Sequence, residues 1–430
     1  MFVASYAGWQ LVQFLLPMLF LSLLIPTEWI ERIWVGQDKA SIILAFAAVY
    51  MRQNAWQMMV QIGESARLTH RIQLINLAIA AMHFLLVIWI WQVKLFSVKI
   101  LLGLIVLEYL VALVISYRFF FVRKLEDHPF DWKLVFREYR IYCVPLVIIS
   151  LIGFVYEFAD RWLLQSFGGS QEQGFYGIAY QLATVSMLAT ISILNIFWKE
   201  ISEAHEKHNM ERVSMLFRKV SRSLFVVAAF LSGFFIPWVD DIVRLCLGSD
   251  YMKGASAISV MLFYPLYQSL GQINGVMLLA TGKTKIQLVH GGIFMTLSLP
   301  LSYWVLAPEE ALIPGLALGS TGIAFKMVIL QISNANFLIW WISREFKWKF
   351  EWEYQIAGMI GGVGAGWIAF EIVQWADSVL MMNLPVRIGF ALILDAVMMG
   401  MFIWFLPWVA GLTRNEIKTL FIQALHFFRK

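Results

Sequence analysis

Twelve apolar stretches, each roughly 19 to 30 residues long, run through the chain at 8–26, 40–61, 73–93, 100–121, 141–159, 175–198, 223–243, 255–280, 286–306, 313–342, 354–375 and 385–411. A helix needs about 20 apolar residues to cross a bilayer, so each is long enough to span one. Composition agrees: 60% of the 430 residues are hydrophobic, 14% are charged, and the mean hydropathy is +0.72. A soluble chain carries about 25% charged residues to solvate its surface, and the charges here cannot cover two or three soluble domains. Strands of a membrane barrel would be about 10 residues long and alternating, which these stretches are not. The expected fold class is therefore all-α: a polytopic helical membrane protein of about twelve spans.

Lys and Arg are enriched in cytoplasmic loops, and twelve spans place both termini on one side. Counting loops alternately, the set that includes the C-terminus holds 23 of the 33 Lys and Arg residues and the opposite set holds eight. Arg52 and Lys326 lie inside spans. The expected orientation has both termini in the cytoplasm, so the net charge of +5 reflects topology and calls for no nucleic-acid partner.

Several chemistries lack their residues. Cys143 and Cys246 form no motif for a disulfide framework or a metal site. The N-terminal sequence lacks the basic region of a cleaved signal peptide. No GxxxxGK[ST] phosphate loop is present, so ATP does not power the chain directly. External loops are short and carry no paired catalytic carboxylates; Asp240–Asp241, at a helix end, fits interfacial solvation better than metal binding. No cofactor, metal site or catalytic residue is expected.

Ionisable groups at bilayer depth are costly and face protein or water by default. Arg52 is followed by Gln53, Gln57 and Gln61, with Asn54 beside them, a polar face on the second span. Two readings stay open: an arginine paired in bundle contacts, or a cation in a hydrated cavity awaiting an anion. Lys326, with Ser333 and Asn334 further along its span, raises the same pair of readings. Glu157, Asp160 and Arg161 fall at i, i+3 and i+4, where Glu157 can pair with Arg161 on one helix face. Glu108, Glu371 and Asp395 are further in-span acids, each a candidate proton or sodium site or a partner for a neighbouring cation. His83 and His290 read as packed. Gly358, Gly362 and Gly366 recur every four residues, a signal for close helix packing. Pro145, Pro265 and Pro300 are expected to kink their spans.

The segment 160–183, DRWLLQSFGGSQEQGFYGIAYQLA, resembles a hallmark of polysaccharide-biosynthesis flippases. Its Asp-Arg precedes a short external turn, and Gly174, Tyr176, Ala179 and Tyr180 open the next helix. A second similar segment, residues 248–285, has a small-residue opening and a long helix ending in Ala-Thr-Gly-Lys-Thr. The family is the Wzx-type lipid-linked oligosaccharide flippases of the multidrug/oligosaccharidyl-lipid/polysaccharide exporter superfamily. The resemblance runs from about 140 to 345. It implies two helical bundles around a central cavity plus a C-terminal hairpin, and it aligns the first four spans with the family's third to sixth, so that the usual first hairpin is absent.

The implied organisation is an N-terminal bundle of four helices at 1–121, a basic cytoplasmic linker at 122–140, a six-helix bundle at 141–343, a hairpin at 344–412 and a basic tail at 413–430. The implied function is translocation of a polyprenyl-pyrophosphate-linked oligosaccharide across the cytoplasmic (inner) membrane for surface polysaccharide. Protons or sodium would be coupling ions, and the polysaccharide polymerase machinery a partner. Arg52, Gln53, Gln57 and Lys326 are the expected cavity residues, chosen by chemistry and depth; Glu108, Glu157, Asp160, Arg161, Glu371 and Asp395 are the coupling or ion-pair candidates. Two alternatives stand beside it: a cation-coupled drug antiporter of the same superfamily, or a membrane glycosyltransferase or polymerase.

Overall fold

The computed structural model describes the backbone of residues 2–34, 36–65, 68–120, 132–185 and 187–419. Residues 122–131 of the expected linker at 122–140, residues 420–430 of the expected tail at 413–430 and the side chains of Cys143 and Pro145 lie outside the described residues, while 132–140 is helical. Every regular element among the described residues is helical. The chain divides into two compact units, Met1–Leu146 and Val147–Lys430.

The first unit begins with α1 (Phe2–Leu19), which runs through a π-helical turn at Phe20–Leu24 into the short α2 (Thr27–Ile33). Pro26 precedes α2 in extended backbone, and the chain turns by 113° there. Next come α3 (Lys39–Tyr50), a π-helical turn at Met51–Ala55, and α4 (Trp56–Ser65). The apolar hairpin of α5 (Thr69–Gln92) and α6 (Val98–Phe120) follows. Asp38 caps α3, accepting from the Ser41 backbone N–H at 3.3 Å. Trp56, Met58, Met59, Ile79 and Ala112 form the small core where α4, α5 and α6 meet.

The second unit holds the rest of α7 (Trp132–Val185), then α8 (Leu188–Glu206), α9 (Met210–Phe235) and the short α10 (Val239–Cys246). It continues with α11 (Ala255–Met261), α12 (Tyr264–Ala280), α13 (Thr284–Leu306), α14 (Gly319–Glu345), α15 (Glu353–Leu380) and α16 (Leu384–Phe405). Helix α7 is broken at Gly169, whose φ of +76° is open to glycine and strained for other residues. The glycine spacing on α15 does what it predicts. A Cβ on Gly366 would lie 2.0 Å from the Gly233 carbonyl oxygen, and one on Gly362 would lie 2.5 Å from the Ala229 carbonyl, so α9 and α15 touch backbone to backbone.

Seven helices among the described residues are long and apolar enough to cross a membrane, and the bent pair α1–α2 would make an eighth. Of the remaining four expected stretches, three are interrupted or shared between helices: 40–61 contains the π-turn, 175–198 crosses from α7 to α8, and 255–280 is cut between α11 and α12, whereas 141–159 lies within α7 ahead of its break at Gly169. Apolarity measures composition, whereas an unbroken span also needs one continuous backbone. Pro265 illustrates the difference: it sits in the first turn of α12, where a missing N–H costs nothing, rather than kinking a helix from inside. Pro300 does lie inside α13.

Candidate functional site

A cavity of about 380 Å³ opens within the second unit, between α7, α12, α13 and α14. Its wall carries Glu157 and Arg161, the amides Gln268, Gln287, Gln331 and Asn334, and the rings of Tyr156, Tyr180 and Tyr264. These polar groups lie inside a bundle whose outward faces are apolar: Leu288, Leu297 and Trp304 of α13 and Phe325 and Ile329 of α14 all point outward. Polar lining at such depth is stable only where it is paired or wetted.

Asp160 on the cavity wall belongs to an ion pair whose other member, the expected cavity residue Lys326, is buried behind the lining rather than part of it. Lys326 Nζ of α14 lies 2.5 Å from Asp160 Oδ2 of α7, with side-chain exposures of 2% and 8%. Ser302 of α13 donates its hydroxyl to the other carboxylate oxygen, and that hydroxyl is 2.9 Å from the Ser298 carbonyl. The ammonium also sits 5.4 Å from the centre of the Tyr156 ring, the geometry of a cation–π contact. Asp160 thus joins three helices. Its selection follows from helix geometry: Glu157 and Arg161 face the cavity and stay exposed, while Asp160 points to the neighbouring helices. The expected Glu157–Arg161 pair does not form; the long-range pair with Lys326 takes its place.

The residues around this acid build its frame. After the break at Gly169, Glu172 accepts from the Ser320 backbone N–H at 2.7 Å, satisfying a free donor at the start of α14. Phe175 covers Gly254, where a Cβ would come within 2.8 Å of its ring, and meets Tyr251 edge-on at 5.8 Å. Tyr176, Ala179 and Ala183 are buried in the same core. The two segments that resemble flippase hallmarks therefore pack on each other beside the cavity.

Among the other expected residues, Arg52, Gln53 and Gln57 lie in the first unit. Arg52 and Gln53 sit on the π-turn between α3 and α4, and all three side chains are exposed. Such turns recur at functional sites, because the inserted residue re-aims its neighbours. Also in the first unit, Glu108 is buried, with one oxygen 2.8 Å from His83 Nδ1 and the other without a hydrogen-bond partner. His83, expected to be merely packed, is thus the partner of an in-span acid. His290 lies 3.2 Å from the Asn334 carbonyl, stacks on Phe337 and meets Phe294 at a tilt. Glu371 is exposed on α15, and Asp395 is buried on α16 with Oδ1 lacking a partner. Sequence reading passed over Ser302 and the amides Gln268, Gln287 and Gln331, and it named His83 without its acid partner. The glutamines carried a usable signal, since a polar side chain inside an apolar span asks for a reason just as a charge does.

The backbone overlays that of a lipid II flippase MurJ in an inward closed conformation with a TM-score of 0.64, at 13% sequence identity, over 94% of this chain and 83% of that one. It overlays an outward-facing multidrug resistance MATE family transporter of the MOP superfamily with a TM-score of 0.56, also at 13% identity, over 80% of this chain and 77% of that one. The chain has the fold of these transporters. It is a multi-pass helical membrane protein, and both neighbours are transport proteins by name. No family model matches the sequence, and no curated protein matches it.

Proposed function

We propose that this protein is a flippase that moves a polyprenyl-pyrophosphate-linked oligosaccharide across the cytoplasmic membrane by alternating access, without covalent catalysis. One observation carries the reading: a polar cavity lined by amides and tyrosines lies inside an apolar bundle of the fold shared with a lipid II flippase. A lipid-linked glycan has just that division of chemistry. Its sugars need hydrogen-bonding walls, while its polyprenyl tail can stay in lipid. Arg52, exposed with Gln53 and Gln57, is the cation offered to the pyrophosphate, which guanidinium binds well. Lys326 is already held by Asp160 and enters the cycle through that acid rather than as a free anion receptor.

Genetic complementation tests the reading. Deleting the gene in its host should abolish surface polysaccharide and leave complete lipid-linked units on the cytoplasmic leaflet, and restoring the gene should reverse both. Intermediates that stop at an incomplete sugar would replace the flippase with an enzyme. Arg52→Ala, inserted at wild-type level, should fail to restore the polymer; full restoration would remove Arg52 from the headgroup site.

A second reading, a cation-coupled drug antiporter, draws on the likeness to the multidrug transporter and on the exposed Glu157 in the cavity wall. It requires the deletion strain to become sensitive to cationic drugs while its polysaccharide stays intact.

A further inference from the structure

A carboxylate at bilayer depth must be neutralised, by a proton, by an ion from solution or by a side chain. Asp160 has oxygen neighbours that suit an alkali cation: its own two carboxylate oxygens, the Ser302 hydroxyl, and the Ser298 carbonyl next to that hydroxyl. The positive charge that neutralises this carboxylate is the ammonium of Lys326, 2.5 Å from Oδ2 and almost wholly buried, while the Ser302 hydroxyl bonds Oδ1. Asp160, Tyr156 and Met327, three residues around the ammonium, also line the 380 Å³ cavity. The ammonium is therefore separated from the cavity only by its own immediate partners. The other charged side chains on that wall, Glu157 and Arg161, are exposed and make no ion pair with either member.

We infer that Asp160 is a monovalent-cation site whose cation is the chain's own Lys326. Because the cation is tethered, it cannot be taken up on one side of the membrane and released on the other. Movement of the second unit then needs no sodium at this acid. Shortening the lysine should open a site for a small cation from solution, either an alkali ion or a primary amine, reached through the cavity.

The test is thermal unfolding of the purified full chain at equal ionic strength in sodium, potassium, methylammonium or N-methylglucamine chloride. This readout does not depend on the transported substrate, so it stands or falls separately from the flippase reading. The wild type should unfold at one temperature in all four salts. Lys326→Ala should unfold lower in N-methylglucamine and recover by about 3 °C or more in sodium or methylammonium, as expected when a ligand binds the folded state alone. Lys326→Met, which fills the space with an uncharged chain, should be destabilised without recovering in any salt. The double variant Asp160→Asn/Lys326→Ala should show no salt preference.

If Lys326→Ala is recovered folded only from membranes solubilised in sodium or methylammonium, the inference holds equally. Failure in every salt overturns it, leaving an ordinary structural ion pair. Sodium stabilisation of the wild type that disappears in Asp160→Asn also overturns it.

Discussion

Glu108 in the first unit and Asp160 in the second are both buried carboxylates with a basic partner on a neighbouring helix, yet the two arrangements differ in kind. Asp160 uses both oxygens, one on Lys326 and one on Ser302, and its partner is as buried as itself. Glu108 uses one oxygen on His83, leaves the other without a partner, and faces a histidine that is 38% exposed while its own side chain is 1% exposed. The second unit has therefore closed its carboxylate on both oxygens with buried partners, and the first has left its carboxylate one vacant acceptor beside a partly exposed histidine.

Breaking the closed pair should have the largest effect. Asp160→Ala leaves a lysine buried without a counter-charge, a change that costs about 3–5 kcal/mol in buried ion pairs. The yield of folded protein from detergent extracts should fall sharply. A variant that unfolds at the wild-type temperature would show that Lys326 finds another partner.

The open pair should respond less. Glu108→Gln keeps a hydrogen-bonding group beside His83 and should lower stability by about 1–2 kcal/mol, the scale of one altered buried hydrogen bond. His83→Gln should do the same, and the double variant should cost less than the sum. Additive losses in that cycle would mean that the two side chains are not coupled.

The smallest effect lies outside the membrane, where each unit holds a carboxylate at low pKa, exposed at Asp38 and partly exposed at Glu416. Asp38 is pulled down to about 2 by the Ser41 hydroxyl and then by Lys99. Glu416 is pulled down to about 2 by Lys219 and then by Thr413. A depressed folded-state value stabilises the fold above the ordinary value, 3.8 for Asp38 and 4.5 for Glu416, and that contribution is lost as pH falls toward 2. Acid titration of unfolding should therefore show a shallow loss between about pH 4.5 and 2, reduced but not removed by Asp38→Asn, because Glu416 titrates in the same window. An unchanged slope in Asp38→Asn/Glu416→Gln would assign the acid limb to other groups.

Much of the architecture was legible because it rests on local or one-dimensional signals. Apolar runs mark helices, and Gly358, Gly362 and Gly366 announce a close seam because four-residue spacing puts them on one face. Charge pairing was not legible, and the reason is geometric. The i, i+4 rule suggests Glu157 with Arg161, but a helix embedded among others offers its acids partners from any neighbour. Lys326 lies 166 residues from Asp160 in sequence. Depth can be read from position within a span, but the direction in which a side chain points around the bundle cannot. The π-turn under Arg52 escaped for a related reason: one inserted residue re-aims a face without changing composition.

The seam between α9 and α15 also bears on how such a fold can be traced through divergent sequences. Where two backbones touch, as at Gly233 and Gly366, the requirement is a vacancy, and almost any side chain is too large to meet it. A vacancy leaves little text. Glycine and alanine are common letters, and a few of them at the right spacing hold two helices together without producing a phrase that another sequence must share. This chain overlays a MurJ flippase along most of its length at 13% identity, and a seam that asks only for room puts little constraint on the wording around it.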